Sequence, residues 1–353
     1  MIVNPKMITI ARESRGLSQS ELAKSIGVAV STISRMEYGY VDTAMVSLDK
    51  LSEVLNYPTD FFTQDFSIHP PNVHYRKRVN ISPKIIRKAD ALMNIYRANI
   101  EKVLKTIQLK EANLPILNDN KYGSPKKVAA YLRSFWKVEK GPIKDLITLV
   151  EKNGIMVILF DFETDKIDGR SMMTEDGHPI IFLNRFFVGE RQRMTLSHEL
   201  GHIILHLSTF PTFERDEESE AFEFASEFLM PETEIRIDIE SKLTIEKLSD
   251  LKRVWKVSMA GILYWSEKLS FITPNQSRYL WSQYSALGYK RGEPFQVQID
   301  IPTLLNRMVT LYTKAMDFES TEKGIEEVAK IFKLSKEEFK NRYIAPKISL
   351  RVA

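Results

Sequence analysis

Residues 198–202 read His-Glu-Leu-Gly-His, an order of side chains suited to one kind of chemistry. On an α-helix, positions four apart lie about one turn above one another, so the His198 and His202 imidazoles can reach a single divalent ion. Glu199 then points at a metal-bound water and can take its proton, as in H-E-x-x-H metallopeptidases. The surrounding MTLSHELGHIILH run (194–206) repeats with helical period and offers Leu196, Leu200, Ile203 and Ile204 for packing. The structural alternative is a histidine pair that holds no metal.

Two histidines and a water leave one protein ligand to find. A metzincin extension would need Gly and His where the chain has Leu205 and Ser208, so that class is excluded. His206 stands where a helix has turned about 80° beyond His198, and it reads as a polar helix-end residue. A carboxylate from the next helix, EESEAFEFASEFLMP (217–231), is the better source. Its apolar arc is Ala221, Phe224, Ala225, Phe228 and Leu229, and Glu217 and Glu218 lie about 50° from the centre of that arc. Glu220 lies about twice as far, and Glu223 and Glu227 face away. Either Glu217 or Glu218 could turn inward against a compensating cation, or both could be first-turn acids favoured by the helix dipole. Upstream, the extended IIFLN run (180–184) is expected to be an edge strand able to align a peptide. His178, which reads first as a turn residue, is a candidate for stabilising an oxyanion.

A second chemistry sits at the other end of the chain. LSQSELAKSIGVAVSTISRMEYG (17–39) has a helix opened by Ser18, a turn at Gly27, a second helix and then Gly39. This is a helix-turn-helix layout, whose second helix enters the major groove by its N-terminal residues. Residues 1–64 carry six basic and seven acidic side chains, so the head itself is near neutral. The positive excess lies just beyond: residues 65–113 hold ten basic against four acidic, and Arg76, Lys77, Arg78, Lys84, Arg87 and Lys88 crowd a stretch with no acid. That run is either a solvated linker face or a set of phosphate contacts, which a homodimer would double.

These sites need elements to hold them. Short helices with Ser starts and Gly ends fill about 4–62, with Leu48, Leu51 and Leu55 at helical spacing in the last. HPPNVHYRKRVNISP (69–83) reads as a connector feeding a long amphipathic helix over about 85–107. From about 124 to 293 helices and strands mix: IMVILF (155–160) is a buried strand, and SMMTEDGHPIIFLN (171–184) is two extended pieces around Asp176-Gly177. Helices are expected over 191–206 and 217–230, and residues 294–353 should hold an extended run and two or three helices.

Composition bounds the rest. The 353 residues contain no cysteine, which removes disulfides, thiolate metal sites and cysteine nucleophiles. Ordinary Gly, Pro and aromatic content excludes collagen-like and mostly disordered chains. No run of eighteen apolar residues and no signal-like N-terminus is present, so the expected setting is the cytoplasm, without a membrane.

The motifs at both ends of the chain carry family resemblances. RMTLSHELGHIILH followed by ESEAFEFASEFLMP resembles the ImmA/IrrE family of zinc metallopeptidases over roughly 125–290, and LKRVWKVSMAGILYWSEKL is similar to that family's downstream helices. The resemblance implies a zinc cofactor held by His198, His202 and Glu218, the Glu thirteen residues before Pro231, with Glu199 as the catalytic base. The Ser-Gln-x-x-Leu-Ala stretch resembles XRE-type, lambda-repressor-like domains over about 5–62. It implies that Gln19 bonds a phosphate, that Val30, Ser31 and Arg35 face base edges, that Thr32 touches the backbone, and that Arg12 and Glu37 tie the first helix to the third.

The expected architecture is therefore multi-domain. An all-α helix-turn-helix domain (1–66) is followed by a basic connector and long helix (67–120), an α+β zincin-like metallopeptidase domain (121–293) and a small C-terminal domain (294–353). The expected function is a DNA-binding regulator that reads a double-stranded operator and cleaves a regulatory protein: itself, its twin in a homodimer, or a partner repressor. The alternative is a regulator or antitoxin-like protein whose peptidase-like body senses a ligand or grips a partner without hydrolysis.

Overall fold

The computed structural model describes residues 3–40, 47–69, 81–115, 117, 123–206, 216–239, 242–316 and 322–344. Its N-terminal unit is four helices, α1 (Pro5–Ser14), α2 (Gln19–Ile26), α3 (Val30–Glu37) and α4 (Leu48–Leu55), closed by a 3-10 turn (Thr59–Thr63). Local chemistry sets their ends. Asn4 caps α1 ahead of Pro5, Ser18 and Glu21 form a reciprocal capping box on α2, and Gly27 takes the left-handed conformation that stops it. Leu22, Ala23, Ile26, Ile33, Met36, Leu51, Leu55, Phe61 and Phe62 fill the centre with Met7, Ile8 and Ala11.

Helix α5 (Pro83–Leu104) follows, then α6 (Pro125–Phe135) and α7 (Leu146–Lys152). A three-stranded sheet comes next, with β1 (Met156–Phe160), β2 (Gly169–Met173) and β3 (Pro179–Asn184) in the order β1-β3-β2. β1 runs parallel to β3, and β2 pairs with β3 as an antiparallel hairpin turned at Gly177. The IIFLN segment is thus the central strand, bonded on both sides, and the edge strands are β1 and β2. That corrects the reading of IIFLN as an edge: β1 and β2 both pair with it, and a buried apolar run alone does not tell a centre from an edge. A strand covered on both faces reads as a continuous apolar run, and every residue of β3 is buried.

Helices α8 (Gly189–Leu205), α9 (Glu217–Leu229), α10 (Glu232–Ile239), α11 (Ile245–Trp255), α12 (Met259–Lys268) and α13 (Pro274–Ala286) complete the mixed region. Helices α14 (Leu304–Ala315), α15 (Glu322–Ile331) and α16 (Lys336–Phe339), the last running into a π-helical turn (Lys340–Ile344), are the last helices among the described residues. Because side chains alternate along a strand, the sheet is a wall between two cores. Met156, Ile158, Phe160, Met172, Ile180 and Phe182 face a core shared with the N-terminal helices, α5 and α14–α16. Val157, Leu159, Ile181 and Leu183 face the core built by α6–α9 and α11–α13.

Polar ties lock the last helices to the first. Arg15 bonds Glu338 at 2.8 Å, Asn99 donates to the Tyr343 hydroxyl at 3.1 Å, and Lys102 donates to Gln64 and to the Ile331 carbonyl. Residues 294–303, expected to be extended, form no strand; they run as an irregular strap across the start of α8. Asp300 accepts from Arg193 at 2.6 Å and from the Leu146 backbone, and the Val297 N–H donates to Glu190. Buried Lys252 holds Glu190 from the other side at 2.6 Å, and Glu151 caps the start of α14 through the Thr303 and Leu304 N–H groups. No helix among the described residues is long and apolar enough to cross a membrane.

Gly189 shows how closely the strap lies. A Cβ there would come 2.4 Å from the Val297 carbonyl oxygen and 2.7 Å from that of Gln298. Both are backbone atoms that cannot swing aside. Gly189→Ala is therefore expected to destabilise the protein by about 1–3 kcal/mol, read as a lower denaturant midpoint. An unchanged midpoint would show that the strap is not packed on α8.

Candidate metal centre

Helix α8 brings His198 and His202 to one face, and their Nε2 atoms lie 3.0 Å apart. Helix α9 starts at an Asp216 cap, and its first turn swings Glu218 across the gap. Glu218 Oε2 lies 3.6 Å from His198 Nε2, and Oε1 lies 3.4 Å from His202 Nε2. Ligands about 2.0–2.1 Å from a tetrahedral divalent ion stand about 3.3–3.4 Å from one another, so the spacing fits one ion among the three. Among the described residues no other His, Cys, Asp and Glu set converges in this way. Helical phase alone left Glu217 and Glu218 open, and the family resemblance pointed to Glu218; the fold brings Glu218 to the histidines and leaves Glu217 outside the group.

The approach of α9 to α8 depends on the glycine inside the motif. A Cβ on Gly201 would meet Phe224 Cδ1 at 3.0 Å and Ala221 Cα at 3.2 Å. Glycine facing alanine lets the two helix backbones come close enough for a short carboxylate arm to span them.

Glu199 is buried, and that burial pushes its pKa up to about 7. Glu218 and Asp168 push it the same way, while the Ser171 hydroxyl and Arg170 pull it down. The acid sits against β2. Gly169 lies so near that a Cβ would be 2.6 Å from Thr195 Cγ2 and 3.5 Å from Glu199 Cγ. Ser171 is fully buried beside it, and Arg170 reaches the opposite face of the sheet to pair with Asp90 of α5. The neighbourhood of Glu199 in β2 was not legible in the sequence, because the strand lies more than twenty-five residues before Glu199 and has no motif.

His206 is not one of the three converging groups. Its Nδ1 lies 3.0 Å from Nδ1 of His202, and its Nε2 lies 3.0 Å from Glu220 Oε2. Sequence reasoning missed this pairing, although a third histidine four residues past the second was a visible signal. His178 closes the β2–β3 turn, donating its backbone N–H to Thr174 Oγ1, and among the described residues no hydrogen bond joins it to the centre.

In the N-terminal unit, α3 presents Val30, Ser31 and Arg35 to solvent with Thr32 half-buried, while Ile33 and Met36 face inward. Arg12 grips Glu37 with two bonds of 2.5 and 2.9 Å, tying α1 to α3 as the resemblance implied. Gln19 donates to the same Glu37 at 2.7 Å, so its amide is aimed by that carboxylate. Tyr38 and Tyr40, stacked and largely exposed just after α3, were not singled out by the sequence. Of the basic run, Arg76, Lys77 and Arg78 lie outside the described residues. Lys84 pairs with Glu21 at 3.1 Å, Arg87 with Glu13 at 3.8 Å, and Lys88 with Glu163. These three cations join α5 to its neighbours within the protein.

Comparison with known proteins agrees with this geometry. Residues 8–62 match the family model described as helix-turn-helix, and residues 150–264 match the one described as IrrE N-terminal-like domain, a metallopeptidase family. None of the curated proteins compared matches the chain. The matched spans enclose α3 with its exposed face and α8–α9 with the His-His-Glu group. The chain is thus a fusion of an XRE-type helix-turn-helix domain with an ImmA/IrrE-like, zincin-type metallopeptidase domain.

Proposed function

We propose that the chain is a transcriptional regulator with a zinc-dependent endopeptidase activity, reading an operator with α3 and hydrolysing a regulatory protein at the α8–α9 centre. The observation that carries the reading is the convergence of His198, His202 and Glu218 beside a buried carboxylate at Glu199. The donor set, two imidazoles and one carboxylate on two helices, is that of zinc peptidases with two His and one Glu. Zinc, when bound, supplies a Lewis acid that polarises a carbonyl and acidifies water.

The protein's own groups do the rest. Glu199 Oε accepts a proton from water and can return it to the leaving amine, since burial sets its pKa near the working range of a general base. The positive charge of Arg170 favours its charged form and keeps it able to accept. The β2 edge, which runs beside Glu199, offers backbone groups to align an extended peptide. At the other end, Val30, Ser31 and Arg35 would face base edges, with Gln19 and Thr32 on phosphates. A cytoplasmic homodimer is the form in which such a head reads a two-fold operator. The substrate is the chain itself, its twin or a partner repressor.

Purified protein should carry about one zinc per chain, and His198→Ala or Glu218→Ala should lose it, measured by elemental analysis. Glu199→Gln should keep the zinc yet abolish cleavage, read from mass spectra of the zinc-loaded protein incubated alone and with candidate repressors. If wild type and Glu199→Gln are equally inactive across candidates, the domain binds its partner without hydrolysing it. Arg35→Ala should weaken binding to an operator selected from random duplexes by about 1–3 kcal/mol, followed by fluorescence anisotropy.

A further inference from the structure

Behind the three converging groups, a second set of polar side chains reaches His202 from the end of α8, and the proposed reaction does not use it. His202 turns Nε2 toward His198 and Glu218, which leaves Nδ1 facing His206. His206, at the C-cap of α8, in turn directs Nε2 at Glu220 of α9. Side-chain exposure is 1% for His202, 4% for His206 and 23% for Glu220, so the inner links are shielded from water while the carboxylate at the outer end keeps its hydration.

We infer that Glu220 and His206 are positioning residues that hold His202 in one tautomer and ring orientation, and that they thereby set how tightly the centre retains its metal. The inference rests on the zinc reading of that centre. Hydrogen-bond bookkeeping leads to it. A neutral imidazole carries one N–H. If His202 Nε2 is to offer its lone pair to an ion, the N–H must sit on Nδ1, and the group 3.0 Å away must accept it. That group is His206 Nδ1, so the N–H of His206 must sit on Nε2, 3.0 Å from a Glu220 oxygen that accepts it. The contacts thus join into a single chain, running from the Glu220 carboxylate through two imidazoles to the ligand atom. A carboxylate at the far end of such a chain strengthens the donor at the near end.

The first turn of α9 therefore serves the centre twice. Glu218 joins the two histidines, and Glu220, two residues on, reaches past the end of α8 to the residue that orients one of them. The competing explanation is that His206 and Glu220 merely staple α8 to α9. A staple would change folding stability and leave the properties of the metal alone.

The test measures zinc affinity by chelator competition on the full-length protein. His206→Phe keeps the ring volume and removes both hydrogen bonds, and it should weaken zinc binding about 10–100-fold. His206→Asn, whose amide oxygen can accept from His202 Nδ1, should recover part of that loss. Glu220→Gln, a half-exposed change that leaves the core untouched, should weaken zinc in the wild-type background but not further in His206→Phe. Substitution with cobalt(II) adds a spectroscopic signature: the visible bands should shift in His206→Phe, reporting a reoriented ligand. Wild-type affinity and an unshifted cobalt spectrum in His206→Phe would overturn the inference, as would a Glu220→Gln loss of equal size in both backgrounds. If the wild-type protein itself took up no zinc, the metal reading would fall and this inference with it, an outcome told apart by its appearing before any substitution.

Discussion

The structure turns on how closely α8 and α9 pack. A metal-binding triad drawn from two helices needs their axes near enough for a glutamate to span the space between them, and a single added methyl at Gly201 would contact both Phe224 and the Ala221 backbone. The small pair holds the helices together, and Phe224, Phe228 and Leu229 give that packing its apolar content. His198, His202 and Glu218 are then brought within reach by backbone placement, and side-chain flexibility has little to correct.

The same helix depends on the sheet behind it. Leu196, Leu200 and Ile203 of α8 share a core with Val157, Leu159, Ile181 and Leu183, and Glu199 lies along the edge strand β2. The opposite face of those strands is covered by α5 and α14–α16, whose core runs on into the N-terminal helices. Head and body are thus joined through buried apolar contact as well as through Arg15–Glu338 and Lys84–Glu21. Arg170 and Asp90 carry a polar link from the strand beside Glu199 to the helix that supports the head.

Charge is used sparingly in the head. The cations Lys84, Arg87 and Lys88, which a count of the sequence offers to phosphate, are engaged with acids on neighbouring elements. Exposed pairs of this kind contribute little to stability, but Lys84 and Arg87 join α5 to α2 and α1, and Lys88 joins it to the loop after β1. What α3 shows to solvent is Val30, Ser31 and Arg35, with the tyrosines at 38 and 40 beyond its end.

Much of this was legible in the amino-acid order. The helix cap at Ser18, the Gly27 stop and the turn at Gly177 are local events, decided by residues within a few positions of one another, and the elements form close to where those signals stand. The His-Glu-x-x-His spacing placed two imidazoles on one face for the same reason. Local signals and helical phase left open the choices between partners distant in the chain, apart from Glu218 and the Arg12–Glu37 pair, to which the family resemblances pointed. Helical phase gave Glu217 and Glu218 the same standing, and the approach of α9 to α8 separated them. An apolar run at 180–184 could be edge or centre until β1 and β2 paired on either side of it. The side chains that surround Glu199, and the His206–Glu220 contact behind His202, come from segments far apart along the chain. Periodicity describes which way a side chain faces, and only packing decides what it meets.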